Sequence, residues 1–238
     1  KCGLVARNDG GITFLLDILW TPLTLEDGTH TPRSPLSLQA PLLLLCLFTR
    51  SSESNVFALS KAGGFTILCK LCERFQENPL VSAGALTVMV NCCRGEKMAA
   101  ICGRASPAVQ KAVDALQCGV VQWSTNSTEV ASEDVEVIEA ALHLIYNLSC
   151  ATSNLSAVVA YNGIESVQIL LNRASTPLVL SGLCCKVCWK LLSAVRPNSQ
   201  IINFGKIKMW KTKEELKRAN SSKAYDKQSA AAAAAAVQ

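Results

Sequence analysis

Two cysteine pairs have spacings that suggest chemistry. Cys69 and Cys72 show the Cys-x-x-Cys pattern of zinc and redox sites. Cys185 and Cys188 repeat it far along the chain. Both pairs stand in apolar stretches with a helical period, where residues three apart share a face without any metal. We therefore predict no metal site and no cofactor, and interpret the twelve cysteines as small hydrophobes of a reducing cytosol.

Catalytic constellations are also missing from the sequence. With only two histidines, His30 and His143, a zinc site or a His-based catalytic set would have to be assembled from scattered residues. Neither a phosphate-binding glycine loop nor a Gly-x-Ser-x-Gly elbow occurs. Acidic residues such as Glu133 and Asp134 fall at helix starts, which they stabilise electrostatically. The sequence predicts a protein that is not an enzyme.

The sequence predicts a repeated order of elements. A short helix is followed by a glycine corner, an apolar helix and a longer apolar helix. The corner is Gly10-Gly11, then Gly63-Gly64, then Gly163. Because one helix must stop and the next must leave at a steep angle, we expect each corner to need a backbone conformation that only glycine adopts without penalty. Gly11 and Gly64 are 53 residues apart, and Gly64 and Gly163 are 99 apart, so two units lie between the later corners and the unit is about 50 residues. This is slightly longer than the roughly 40 to 47 residues of helical repeat units, and polar insertions at 21–35 and 124–132 account for the excess.

The repeat gives a domain organisation. One repeat domain covers 1–205, with units at 1–52, 53–95, 96–152 and 153–196, a partial fifth unit from Asn198, and a basic, low-complexity tail or degenerate cap over 206–238. The chain has no initiator methionine and Lys1 falls inside a helical pattern, so we expect it to be part of a longer protein.

Two stretches carry a family signature. Residues 85–91 (ALTVMVN) and 141–147 (ALHLIYN) both begin with Ala-Leu and end with Asn. They resemble the third helix of armadillo repeats, and after the second stretch the chain continues like that family's linking helix, glycine corner and second helix. The resemblance implies an all-α fold, a right-handed superhelical solenoid of stacked three-helix armadillo-type repeats. The third helices would then be Leu36–Thr49, Pro79–Arg94, Asp134–Ser149 and Pro177–Ala194.

Armadillo third helices line a concave groove in which Asn side chains hold the main chain of an extended peptide, since Asn offers both a donor and an acceptor. The resemblance implies this role for Asn91 and Asn147. An equal alternative is that each Asn only caps or braces its own helix. The predicted partner-binding residues are Asn91, Asn147, Thr87, His143, Arg94, Lys186 and Lys190.

Nuclear-import receptors of this family pair each groove Asn with a Trp four residues earlier, to hold lysine side chains. Here Thr87 and His143 stand in place of that Trp, while Phe48 and Leu191 stand in place of the Asn in the first and fourth units. Binding of basic cargo in the manner of a transport receptor is the second hypothesis, and the missing Trp and Asn residues count against it. A third is a regulatory repeat domain of a larger enzyme.

Charge and hydropathy limit the classes of partner that the chain is expected to bind. Residues 204–238 carry eight lysines and arginines against three acids, which accounts for the whole net charge of +5. The neutral body argues against nucleic-acid binding. No apolar run approaches the roughly 18 residues of a membrane span. We expect a cytoplasmic scaffold or adaptor that binds a protein segment, as a subunit of a larger assembly for which family analogy favours a cytoskeletal or ciliary setting.

Overall fold

The computed structural model of this chain describes residues 10–24, 34–105, 107–125, 132–173 and 176–195. The chain divides into two units, Lys1–Ala194 and Val195–Gln238, and the described residues up to 194 belong to the first. Every regular element in the described part of the chain is an α-helix. The prediction of an all-α fold is confirmed.

Eleven helices follow one another in these ranges. They are α1 (Gly11–Thr24), α2 (Pro35–Arg50), α3 (Glu53–Lys61), α4 (Gly64–Arg74), α5 (Pro79–Cys92), α6 (Glu96–Ala105), α7 (Ala108–Thr125), α8 (Ser132–Leu148), α9 (Thr152–Ala160), α10 (Gly163–Asn172) and α11 (Leu178–Val195). The four long helices predicted to be third helices correspond to α2, α5, α8 and α11, and their first residues differ from the prediction by two at most.

Capping residues explain where the helices begin. The side chain of Ser34 accepts a hydrogen bond from the Leu36 amide at the start of α2, and that of Asn78 accepts one from the Val81 amide at the start of α5. Each satisfies an amide that has no partner within its helix. A proline follows each cap in the first turn, where its missing N–H costs nothing.

The corners use the left-handed backbone conformation at two glycines and one asparagine. Gly10 has φ 69°, Gly63 has φ 74° and Asn162 has φ 62°. The expectation that glycine supplies this conformation at every corner was wrong for the third, where Asn tolerates it. Gly163 is needed for another reason: a Cβ there would lie 2.9 Å from the Val158 carbonyl oxygen. The first residue of α10 must therefore be small so that α9 and α10 can meet.

Packing between helices repeats along the chain. The long helices α2, α5 and α8 pack side by side in that order, and α1, α4, α7 and α10 form a second row in chain order. The short helix α6 likewise packs against α9. Leu, Val, Ile, Ala and Cys side chains fill the space between the rows in one continuous hydrophobic core. The short helices connect each long helix to the next corner, so neighbouring units pack long helix against long helix and second helix against second helix.

Some predicted features lie outside the described residues: His30, the partial fifth unit from Asn198 and the tail over 206–238. None of the described helices is both long enough and apolar enough to cross a membrane.

Candidate partner-binding groove

A groove of about 820 Å³ crosses the row formed by α2, α5 and α8. Each of the three helices contributes residues spaced one helical turn apart, which is how a helix presents one face. The residues that line it are Leu36, Gln39, Ala40, Leu42, Leu43 and Cys46 of α2, Leu80, Ala83, Gly84, Thr87 and Val90 of α5, and Glu136, Glu139, Ala140 and His143 of α8.

Small side chains from each helix line the groove and account for its depth. They are Ala40 on α2, Ala83 and Gly84 on α5, and Ala140 on α8. Gly84 also sets the distance between two helices, because a Cβ there would lie 3.2 Å from the Leu42 side chain. The close approach of α2 and α5 that glycine allows leaves room above the helices for side chains of another molecule.

The side of the groove formed by α2 is apolar and exposed. Leu36 is 70% exposed and Leu43 is 62% exposed, and both line the groove, together with Leu80 from α5. Exposed leucines scattered singly over a surface need no explanation, but a group along one open groove marks a surface suited to a partner.

The side formed by α8 is acidic. Glu136 and Glu139 both line the groove, and Glu139 Oε1 lies 3.9 Å from His143 Nε2, a pair that is attractive when the histidine is protonated. Among the described residues that line the groove there is no lysine or arginine. The groove therefore combines apolar and acidic surface with no opposing cation from its own walls.

Two of the predicted partner-binding residues lie in this groove. Thr87 projects from the middle of α5, where its hydroxyl donates to the Ala83 carbonyl at 2.7 Å. His143 is half-exposed on α8. Neither side chain is buried in the core, so both are accessible to a partner.

The two predicted groove asparagines are engaged within the chain. Asn91 Nδ2 donates to the Cys46 carbonyl of α2 at 3.2 Å, and Asn147 Nδ2 donates to the Val90 carbonyl of α5 at 3.0 Å. Each amide thus links a long helix to the preceding long helix. This geometry corresponds to the alternative left open by the sequence, in which Asn braces a helix, and one N–H of each amide is already in use.

Arg94 shares in the same arrangement. Its Nη2 donates to Asn91 Oδ1 and its Nη1 donates to the Arg50 carbonyl, both at 2.8 Å. Asn91 and Arg94 line a second cavity, of about 520 Å³, at the carboxyl ends of α2 and α5. Lys186 and Lys190 lie on α11 and line neither of the two cavities. The structure thus assigns the predicted residues to separate places rather than to one site.

Asparagine plays the same bracing role in the short helices. Asn154 Nδ2 donates to the Ala99 carbonyl of α6 at 2.9 Å and to the Leu148 carbonyl at 3.0 Å. Asn55 Nδ2 donates to the Phe48 carbonyl at 3.0 Å. We call this set the asparagine braces: Asn55, Asn91, Asn147 and Asn154.

Sequence reasoning missed the acidic residues of the groove and its exposed leucines. The signal was present in the helical period, since positions 36, 40 and 43 on α2 share a face, as do positions 136, 140 and 143 on α8. Their significance depends on which face of each helix stays open, which sequence does not give.

The two Cys-x-x-Cys pairs differ in burial, since Cys185 is exposed and Cys188 is partly buried. Cys69 and Cys72 are both buried in the core, and burial raises the pKa of the Cys72 thiol well above its ordinary value. Cys46 lines the groove, and burial raises the pKa of its thiol to about 11. Within the described part of the chain, no group of three or more His, Cys, Asp or Glu residues could hold a metal ion.

Comparison with known proteins adds information on the fold. No family model matches the chain, and no curated protein matches it. Its structure is similar to the crystal structure of an engineered protein from the Northeast Structural Genomics Consortium, with a TM-score of 0.59 and 21% sequence identity. The match covers 79% of this chain and 64% of the engineered chain, so this chain spans less than two thirds of that protein. At this identity the similarity concerns the helical fold alone.

Proposed function

We propose that the chain is a non-catalytic scaffold or adaptor, an armadillo-type solenoid that holds a segment of a partner protein in the groove across α2, α5 and α8. The observation that carries the proposal is the open groove of about 820 Å³ with exposed leucines along one side. A row of long helices with a shared open face suits an extended segment or a helix of another protein.

The packing order supports the armadillo-type part of the proposal. In such a repeat each unit supplies a short helix, a second helix and a long third helix, and each unit contacts its neighbours. The rows α2–α5–α8 and α1–α4–α7–α10 follow that scheme in chain order. The right-handed superhelix remains part of the proposal.

The chemistry of the groove supports a binding role over catalysis. Its one thiol, Cys46, has its pKa raised to about 11 by burial, so it is protonated near neutral pH and a poor nucleophile. The carboxylates Glu136 and Glu139 have exposed or half-exposed side chains rather than the enclosed setting in which active-site carboxyls are tuned.

A substitution that fills the groove tests the proposal. Thr87→Trp places a large side chain in the middle of the groove at an exposed position, so we expect it to fold normally and to block a partner. Thr66→Trp is the matched control, since Thr66 is an exposed helical threonine on α4 that lines neither this groove nor the second cavity. The measurement is mass spectrometry of proteins recovered with the full-length protein from its native source.

A defined set of proteins recovered with the wild type and with Thr66→Trp, and absent with Thr87→Trp, is the expected result. Equal recovery with all three would place binding elsewhere and overturn the groove assignment. The identity of the recovered set also separates the alternatives. Basic cargo would favour a transport receptor, a covalently linked catalytic domain would favour enzyme regulation, and filament components would favour the cytoskeletal or ciliary setting.

A further inference from the structure

We infer that the partner segment carries bulky apolar side chains at one end and a lysine or arginine at the other, so that the apolar end lies against α2 and the cation lies between Glu136 and Glu139 on α8. This inference rests on the proposed function, because it specifies what the groove would bind. It follows from the residues that line each side of the groove.

The apolar end of the segment would cover the exposed leucines of α2 and α5. Leu36, Leu43 and Leu80 expose apolar surface to the groove. Covering such surface stabilises a complex by roughly 25 cal/mol per Å² before the costs of association are subtracted. Small residues such as Ala40 and Gly84 leave the depth that a Leu, Phe or Met side chain would fill.

The cationic end of the segment would lie against the two glutamates of α8. Glu136 and Glu139 lie on the groove, and among its described lining residues no lysine or arginine opposes them. An acidic segment would be repelled by these carboxylates, whereas a cation would complement them.

The distance across the groove sets the spacing. Adjacent packed helices lie about 8–10 Å apart, so α2 and α8, separated by α5, lie roughly 16–20 Å apart. An extended chain rises about 3.3 Å per residue, so about five or six residues would separate the apolar anchor from the cation. A segment with only basic residues would leave the leucines uncovered.

A peptide selection tests this inference with a named probe. Random 12-residue peptides displayed on phage are selected on the immobilised protein, and the enriched peptides are synthesised and titrated by fluorescence polarisation. We expect enriched peptides to pair a bulky apolar residue with a Lys or Arg at the stated spacing. Thr87→Trp should abolish their binding.

Charge neutralisation tests the acidic side. The double variant Glu136→Gln/Glu139→Gln should weaken the enriched peptides about three- to tenfold and should remove most of the salt dependence of their binding. The matched control is Glu77→Gln/Glu165→Gln, two exposed glutamates outside the groove, which should leave affinity and salt dependence unchanged.

The outcomes separate the inference from the proposed function. Peptides that Thr87→Trp blocks but that are acidic or uncharged, with no effect of the Glu136→Gln/Glu139→Gln double variant, would overturn the inference and leave the groove assignment intact. Peptides that bind Thr87→Trp as well as wild type, or a selection that enriches nothing, would overturn both.

Discussion

The groove and two of the asparagine braces, Asn91 and Asn147, lie on the same long helices but use their side chains in opposite ways. On α5, Thr87 faces the open groove, while Asn91, one turn later, donates to the Cys46 carbonyl of α2 and accepts from Arg94. Thr87 is exposed, as are Leu36, Leu43 and Glu136 in the same groove. The side chains of Asn91 and Asn147 instead hydrogen-bond to the neighbouring long helix.

One helix can therefore line the groove with one turn and hydrogen-bond to the neighbouring helix with the next. Hydrogen bonds from Asn to neighbouring backbone carbonyls fix how the long helices stack, and this holds the groove open as a preformed surface. Cys46 belongs to both regions, because its carbonyl accepts from Asn91 while its thiol lines the groove. Substitutions in the braces should therefore act on stability, and those in the groove on binding.

The largest expected effect is on Asn154, whose side-chain amide donates two buried hydrogen bonds. Asn154→Ala removes the donor to the Ala99 and Leu148 carbonyls in a buried setting. We expect the free energy of unfolding to fall by about 2–3 kcal/mol, measured by urea denaturation. Ser153→Ala, its exposed neighbour, is the control and should change stability by about 0.5 kcal/mol or less. A loss no greater than the control's would contradict the bracing role.

The next effect is on the thiol shared by both regions. Since burial raises the pKa of Cys46 to about 11 from 9.0, its thiolate fraction at pH 8 should be about 100-fold lower than that of the same thiol in the unfolded chain. Alkylation with iodoacetamide, followed by peptide mass spectrometry with and without urea, should show slow labelling in the folded protein. The folded-state rate should still be rising as the pH passes from 9 to 11. Equal rates in both states would show that the groove does not bury this thiol.

A smaller effect is expected at the braces between long helices. Asn147→Ala should lower the free energy of unfolding by about 1 kcal/mol, because it removes one interhelical hydrogen bond. Asn91→Ala should lower it by about 1–2 kcal/mol, because it removes an interhelical hydrogen bond and also the acceptor for Arg94 Nη2. Thermal melting of single and double variants checks this. The sequence resemblance predicts instead that these amides bind a partner, and an unchanged melting temperature with lost partner binding would favour that role.

The smallest effect on stability is expected in the groove. Glu136→Lys/Glu139→Lys reverses charge at exposed or half-exposed positions, so the free energy of unfolding should stay within about 0.5 kcal/mol of wild type. The same variant should lose the peptides that depend on a cation. If this variant unfolded, the acidic side of the groove would have a structural role. The groove and the asparagine braces would then no longer differ in function.

Much of the fold could be predicted from the sequence. Apolar residues at helical spacing placed the long helices to within two residues at their starts. The glycine corners were located correctly, but at the third one Asn162 rather than Gly163 takes the left-handed conformation. Sequence could not distinguish the two residues, because Gly163 is required by its contact with α9 and not by its own φ.

The candidate site was predicted only in part. Thr87 and His143, which the family resemblance places four residues before Asn91 and Asn147, both line the groove. The bonding of Asn91 could not be foreseen, since its acceptor is a carbonyl 45 residues earlier in the chain. Whether an amide faces a partner or a neighbouring helix depends on how closely α2 approaches α5, which is set by packing at Gly84 and Leu42.

The sequence by itself determined the local elements: helical periodicity, caps and corners are properties of residues within one or two turns of each other. Only the tertiary structure decided which helix faces stay open, because burial depends on side chains brought together from different units. The roles of Asn91 and of the two glutamates were decided in this way. Asn91 bonds to a neighbouring helix, whereas Glu136 and Glu139 line a groove that has no opposing cation among its described residues.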